Sequence, residues 1–384
     1  MKQAFVLYGA TAMGMAEFSA DLRWATGGYS VPDPIFYCEV EGKKILLASS
    51  LEIERARKEA KVDEVISLET YIEKSKKENL PISALFLKER GVTNVTITAS
   101  MRYSLAKNLA THFELTVRED PFFLERAVKT EWEVSEIEKA QRAVEAAVGE
   151  AMEFLREGKV RDGLVFHRRF GDTPLSSFHI RKIIDDALFE RGHLGVESIV
   201  ACGIEAADPH AKGMGLIRPN QPIVIDIFPR SLETLYFADQ TRTVFKGEPS
   251  DAVSSMYEAV LKAQELAVGM IKAREDGAKI EEAVREFFDS KGYPTDFSST
   301  PVRGFIHSLG HGVGLEIHEE PNLSRRSNIL RAGNIVTVEP GLYYQKPEGK
   351  IPACGIRIED MVLVTEGGCR NLTNFPKKLD EMIV

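Results

Sequence analysis

The sequence predicts two domains, a small α/β domain followed by a larger α+β domain. Three observations carry that reading. At 384 residues the chain is too long for one ordinary core. Its first third alternates short β-like runs with helical ones, whereas the remainder keeps helices and strands apart. Between the two, Thr130 and Glu133 have the spacing of a capping box, in which a hydroxyl and a glutamate three residues on open a helix. The expected division is 1–126 and 127–384.

The elements follow in order. PIFYCEV (34–40) and KKILLAS (43–49) read as strands on either side of a Glu41-Gly42 turn. Charged stretches at 51–60 and 71–79 read as helices with a solvated face. A strand at 92–98, a helix near 102–111 and a strand at 113–117 complete a small α/β layer structure. The capping box then opens a long helix to about Gly158, with Val134, Ile137, Ala140, Val144 and Ala147 on one stripe. Further helices fit 178–191, 251–273 and 279–290, the last stopped by Gly292. QPIVIDIF, RTVFK, NIVTVEP and GIRIEDMVLVT supply antiparallel strands.

Composition narrows the class of partner. With 43% hydrophobic and 28% charged residues, this is a soluble globular composition. A net charge of −9 argues against nucleic acid as the main partner and against an anionic membrane surface. Cys38, Cys202, Cys354 and Cys369 are scattered and form no CxxC pair, which suits a reducing cytoplasm. The opening run 1–21 imitates a signal peptide, but glycines break it and an acidic segment follows. No run approaches the roughly 18 apolar residues of a membrane span.

Three of the eight histidines, His307, His311 and His318, fall within GFIHSLGHGVGLEIHEEP. HSLGH lacks the glutamate of the helical HExxH motif, and Leu315 stands where a G-x-G-x-x-G loop needs its last glycine. The segment therefore reads as extended or turning chain. The more telling residues are acidic. Asp226, Asp239, Glu339 and Glu359 each sit inside or at the end of an apolar strand run. One such carboxylate is ordinarily a turn cap or a solvated strand end. Four ask for compensation, because an unpaired buried charge costs several kcal/mol. Arg242 and Arg357 could balance two. Two divalent ions would formally balance all four, as in hydrolases that share one activated water between metals about 3.5–4 Å apart. One imidazole with several carboxylates suits Mn²⁺, Co²⁺ or Fe²⁺, with Zn²⁺ also admitted.

VIDIF with Asp226, FADQTRTV with Asp239, FIHSLGHGVGLEIHEEP with His311, TVEPGLY with Glu339 and GIRIEDMVLVT with Glu359 stand in one order along the chain. That set and order resemble the pita-bread metallopeptidases, and within them the Xaa-Pro aminopeptidase and prolidase branch. The resemblance covers 127–384 strongly, and FSADLRWATGG extends it more weakly into the first third. It implies a pita-bread (creatinase/aminopeptidase-like) catalytic domain preceded by a smaller creatinase-type, ribonuclease H-like α/β domain. It also implies a homodimer, two divalent ions per chain with Mn²⁺ or Co²⁺ foremost, and hydrolysis of small peptides with proline at the second position.

The resemblance further implies individual roles. Asp226 and Asp239 would bind metal, Asp239 bridging both ions. His311 and Glu339 would share one ion, and Glu359 would bridge. A water shared by the ions would attack the scissile carbonyl, with Glu339 handling its proton. His307, His318 and His210 match histidines that contact substrate or move protons. Arg357 matches an arginine that orients the bridging glutamate. His112, His167, His179 and His193 match nothing and read as packing or surface residues. In one respect the match strains. The family has Asp-x-Gly at the first ligand and its second aspartate eleven residues on, whereas here Phe228 follows Ile227 and Asp239 lies thirteen residues on. The even difference preserves strand alternation, so the expectation is a hairpin two residues longer.

Two other enzyme readings and one non-enzyme reading compete. Methionine aminopeptidase shares the five ligands, but its simplest forms lack the first domain. Creatinase shares the two-domain layout but not the ligands. A non-catalytic binding protein on the same fold would typically have lost ligands that all stand here.

Overall fold

The computed structural model describes residues 2–15 and 17–384. Met1 and Ala16, both in the opening run, lie outside the described residues. The chain divides into two compact units, Met1–Arg126 and Ala127–Val384.

The first unit is built on a six-stranded mixed sheet. Its order is Glu64–Ser67, Lys43–Ala48, Ile35–Val40, Lys2–Gly9, Val92–Thr98 and Glu114–Arg118. The two strands expected around Glu41-Gly42 pair antiparallel, and both turn residues have positive φ, 53° and 77°. That is the backbone twist a two-residue hairpin needs. Strand Lys2–Gly9, which the sequence disguised as a leader-like run, pairs with strands on both sides. Alternate side chains serve opposite faces: Ala4 and Val6 pack with Phe86 and Leu109 on one, Leu7 with Leu22 and Phe122 on the other. Helices thus cover both sides of the sheet, giving the α/β layering expected.

The second unit opens with the capping box as read. Thr130 Oγ1 accepts from the Glu133 N–H at 3.3 Å, and Glu133 Oε2 accepts from the Thr130 N–H at 2.8 Å. Helix Glu131–Glu157 follows, and its predicted stripe is buried. Helices Ser177–Glu190, Asp251–Met270 and Gly277–Ser290 lie close to their expected spans. The last begins two residues early because the Asp276 side chain caps it, accepting from the Ala278 N–H at 3.0 Å.

The strands form three antiparallel groups that matter for the site. One sheet holds Ile199–Cys202, Pro222–Ile227 and Gln240–Phe245. Another holds, in order, Glu319–Leu323, Gly310–Gly312, Ile335–Val338, Asp360–Val364 and Cys369–Asn371. Gly341–Tyr344 pairs with Cys354–Arg357 as a separate ribbon. The groups are stitched at one end: the Glu359 N–H donates to Thr241 O at 3.1 Å, and Thr243 Oγ1 donates to Arg357 O at 2.9 Å. The α+β class expected from the sequence is what this unit adopts. Among the described residues no helix is long and apolar enough to cross a membrane.

Candidate metal centre

Strand register explains how the two aspartates meet. Asp226 stands opposite Ile199 on one side and Thr241 on the other, and Ile227 stands opposite Gln240. Paired residues share a face, so Asp226, Thr241 and Asp239, two residues before Thr241, project the same way. The thirteen-residue separation therefore keeps both carboxylates together. The intervening chain is the longer hairpin expected: Arg230 and Phe237 form an antiparallel bridge, the Ser231 N–H donates to Tyr236 O at 3.0 Å and the Ala238 N–H to Pro229 O at 3.2 Å. Its first arm, Arg230–Ser231, also pairs with His193–Leu194, and the Leu232 N–H donates to Gly192 O at 3.0 Å. The chain returns with the Phe237 N–H donating to Gly314 O at 2.8 Å.

His311 enters from the middle of Gly310–Gly312, and its N–H donates to Thr337 Oγ1 at 3.1 Å. Its Nδ1 lies 3.1 Å from Gly312 O. A carbonyl can only accept, so Nδ1 carries the proton and Nε2 keeps its lone pair. That nitrogen faces Asp239 Oδ2 at 3.6 Å and Glu339 Oε1 at 3.5 Å, both too long for hydrogen bonds. The flanking glycines serve packing, not access to the site. A Cβ on Gly310 would collide with Thr337 O, and one on Gly314 with the Glu319 carboxylate.

Asp226, Asp239, His311 and Glu359 are all buried, while Glu339 keeps some exposure. Asp226 Oδ1, Asp239 Oδ1 and Glu359 Oε1 have no hydrogen-bond partner. Buried polar atoms are rarely left so. Asp239, His311 and Glu359 each offer a ligand atom, all within 4.8 Å of one another. Burial, then the charges of Glu359, Asp226 and Glu339, hold the Asp239 carboxyl well above its ordinary range. Burial and the neighbouring Glu359 do the same to Glu339. Glu359 is pushed up to about 8, by burial first and then by Asp226. The imidazole of His311 is pushed down to about 3 by burial and by His318. Protein charge alone does not balance this donor set. A neutral imidazole lone pair and unpartnered carboxylate oxygens fit divalent cations, which would let the carboxyls ionise.

Around the carboxylates runs a polar chain that sequence reading missed in part. Arg357 Nη2 donates to Asp226 Oδ2 at 2.6 Å, Nε to Thr241 Oγ1 at 3.2 Å, and Nη1 to Tyr343 OH at 2.8 Å. The arginine therefore hydrogen-bonds Asp226 directly and Glu359 through Thr241, whose hydroxyl donates to Glu359 Oε2 at 2.8 Å. Its charge also acts on Glu359, against the upward push of burial. Tyr343 accepts from Arg357, so its own proton goes to His307 Nε2 at 2.9 Å. His307 Nδ1 lies 2.8 Å from Ser308 O and so carries the ring proton. Burial pushes His307 down to about 3, and both its nitrogens are engaged by protein groups. The signal for Thr241 was available as a polar residue on the inward face of an apolar strand, two past Asp239. Tyr343 gave none.

All nine predicted residues line one pocket of about 410 Å³: Asp226, Asp239, His311, Glu339, Glu359, His210, His307, His318 and Arg357. His318 is exposed there, its ring edge-on to His311 with centroids 4.3 Å apart. His210 is also exposed. The four histidines left unassigned do stand elsewhere: His167 stacks on Phe154 with centroids 4.0 Å apart, and His179 caps its own helix at Ser176.

Residues 135–366 match metallopeptidase family M24. The chain belongs to that family. Its pita-bread fold is that of its M24 neighbours. Over 260 residues it is 34% identical to the Xaa-Pro dipeptidase of Pyrococcus furiosus, covering 66% of this chain and 65% of that protein, just under two thirds of its length. The Xaa-Pro dipeptidase of Pyrococcus horikoshii is 30% identical over 343 residues, 87% of this chain and 85% of that one. Among solved structures, the Xaa-Pro dipeptidase from Bacillus anthracis superposes with a TM-score of 0.80 at 25% identity, covering 100% of this chain and 95% of that one.

Proposed function

We propose that this M24 peptidase is a two-metal exopeptidase that hydrolyses Xaa-Pro bonds in small peptides. The observation that carries the reading is the convergence of unpartnered buried carboxylate oxygens and the His311 lone pair in a pocket also lined by His210 and His318. M24 relatives named Xaa-Pro dipeptidase support the choice of bond.

In this reading Asp226, Asp239, His311, Glu339 and Glu359 hold two divalent ions, with Mn²⁺ or Co²⁺ the first candidates and Fe²⁺ or Zn²⁺ behind them. When bound, the ions supply Lewis acidity toward a carbonyl and lower the pKa of water. The remaining roles fall to the chain itself. Glu339, whose carboxyl is shifted toward neutrality and which keeps some exposure, takes the proton of the attacking water. His318 is exposed and adjacent to His311, so it is placed to return a proton to the leaving proline nitrogen. His210 contacts substrate from the facing loop. His307 and Arg357 act by position: His307 holds Tyr343, Tyr343 holds Arg357, and Arg357 fixes Asp226.

The test is product analysis on Ala-Pro, Ala-Pro-Ala and Met-Ala-Ser after loading with Mn²⁺ or Co²⁺. Release of alanine from the first two supports the proposal, and their ratio separates dipeptidase from aminopeptidase. Preferred release of methionine would favour the methionine aminopeptidase reading. No turnover of any Xaa-Pro peptide would overturn the proposal. The four cysteines are free thiols, which suits the proposed cytoplasmic location. The proposed homodimer is tested by light scattering on the purified chain.

A further inference from the structure

The pocket has an apolar side that the metal chemistry does not need. Phe228 lines it two residues after Asp226 and keeps part of its surface exposed. Ile199, directly opposite Asp226 in the sheet, lines it as well, and so does Ile317, the residue before His318. Hydrocarbon side chains cannot ligate a divalent ion. An aromatic ring facing a polar pocket is suited instead to contact with the apolar part of a ligand.

Phe228 is also held in place. Pro229, buried, follows it and fixes its own φ. Pro229 O accepts from the Ala238 N–H at 3.2 Å, one residue before Asp239. The ring is therefore carried by chain pinned at both aspartates, so it forms a wall and not a flap.

Two groups on a peptide substrate, its free α-amine and its leaving nitrogen, indicate which part of it meets this wall. The free α-amine is a hydrogen-bond donor and is suited to the carboxylate end of the pocket, where Asp226 Oδ1 has no partner. The leaving nitrogen needs a proton donor, which places it on the histidine side. The side chain of the N-terminal residue then lies along the strand that carries Asp226, against Ile199 and Phe228. We propose that Phe228, with Ile199 and Ile317, selects the N-terminal residue of the substrate by size, admitting compact side chains and obstructing bulky ones. This rests on the Xaa-Pro reading above.

The experiment compares Ala-Pro, Leu-Pro and Phe-Pro with the Mn²⁺-loaded protein, Phe228→Ala and Phe228→Trp. The unaltered chain should favour Ala-Pro. Phe228→Ala should raise the kcat/KM ratio of Phe-Pro to Ala-Pro by about 10-fold, the lower end of what one pocket contact discriminates. Phe228→Trp should lower it. Metal content by elemental analysis should be the same in all three. Calorimetric titration with free phenylalanine and free alanine should show the same reordering without turnover. Turnover by the unaltered protein, with ratios unchanged in both variants, would overturn this inference alone. No turnover of any Xaa-Pro peptide by the unaltered protein would overturn the functional reading and this inference with it.

Discussion

Glu359 and Asp360 are chain neighbours, both almost wholly buried, yet they live in opposite circumstances. Asp360 Oδ1 accepts from Arg242 Nη2 at 2.8 Å, and its Oδ2 accepts from Lys377 at 2.6 Å, Asn371 at 2.9 Å and Gln264 at 3.0 Å. Burial would push its carboxyl up, but Arg242 and Lys377 outweigh it and hold the group below the ordinary range. Glu359 has one hydroxyl donor on Oε2, nothing on Oε1, and a carboxyl raised to about 8. Burial is common to both, so burial does not mark a site. The difference is that the protein balances one charge and leaves the other for a cation. Alternation divides them in the same way as their strand neighbours, Arg242 beside Asp360 and Thr241 beside Glu359.

The hardest test of this contrast is to remove a ligand from each side. On the metal side, Asp239→Asn should reduce turnover to background and lower bound metal, while circular dichroism stays unchanged. Retained turnover would break its assignment as a ligand. On the structural side, Arg242→Ala leaves Asp360 short of its main cation. It should cost about 3–5 kcal/mol in denaturant unfolding, the usual penalty for breaking a buried pair. A loss below about 1 kcal/mol would show that Lys377 alone suffices.

The sequence could not have drawn this line by itself. GIRIED offers two adjacent acidic residues at one apolar run, and the run that singled out Glu359 carries no sign that Asp360 would be balanced by Arg242 and Lys377. Alternation told which residues share a face, but not which face looks into the pocket. The carboxylates were legible because apolar strand runs expose any charge they contain. The α+β class was legible because Thr130, the helical stripes and the strand runs agreed. Strand Lys2–Gly9 was hidden because its apolar run looked like a leader and its partners lie far along the chain. Tyr343 was hidden for a similar reason: its meeting with His307 and Arg357 exists only after two strands and a loop have been brought together. The need for glycine around His311 was hidden as well, because it comes from the approach of Thr337 to Gly310 and of Glu319 to Gly314.

Smaller effects sharpen the comparison. Tyr343→Phe keeps the ring and removes the hydroxyl between Arg357 and His307. Loss of a group that orients a ligand costs about 10–100-fold in metal affinity or activity. The expected result is a fall of about 10-fold in kcat, with KM and unfolding stability little changed. A change in KM alone would place Tyr343 on substrate instead.

The smallest effect is one of pH on the metal-free chain. The folded pKa of Glu359 is raised from 4.5 to about 8, so its contribution to stability is full below 4.5 and is lost as pH rises toward 8. Asp239 and Glu339 share that sign. The lowered histidines His307 and His311 oppose it only below about 6.5, since above that they are neutral in both states. Between pH 6.5 and 8 the Tm of the chelated protein should therefore fall, and Glu359→Gln should flatten the slope. Mn²⁺ loading in weak buffer at pH 7 should release protons. A rising Tm across that window would contradict the raised carboxyls.

One main-chain bond reaches further than its strength suggests. The Phe237 N–H to Gly314 O link ties the segment that ends at Asp239 to the segment that begins at His311. Because it uses only backbone atoms, no particular side chain is needed to make it. Distance between two candidate ligands is thereby insulated from sequence drift in the loop that joins Asp226 to Asp239. Insertion of two residues at the hairpin tip should accordingly leave bound metal unchanged, as elemental analysis of the variant would show.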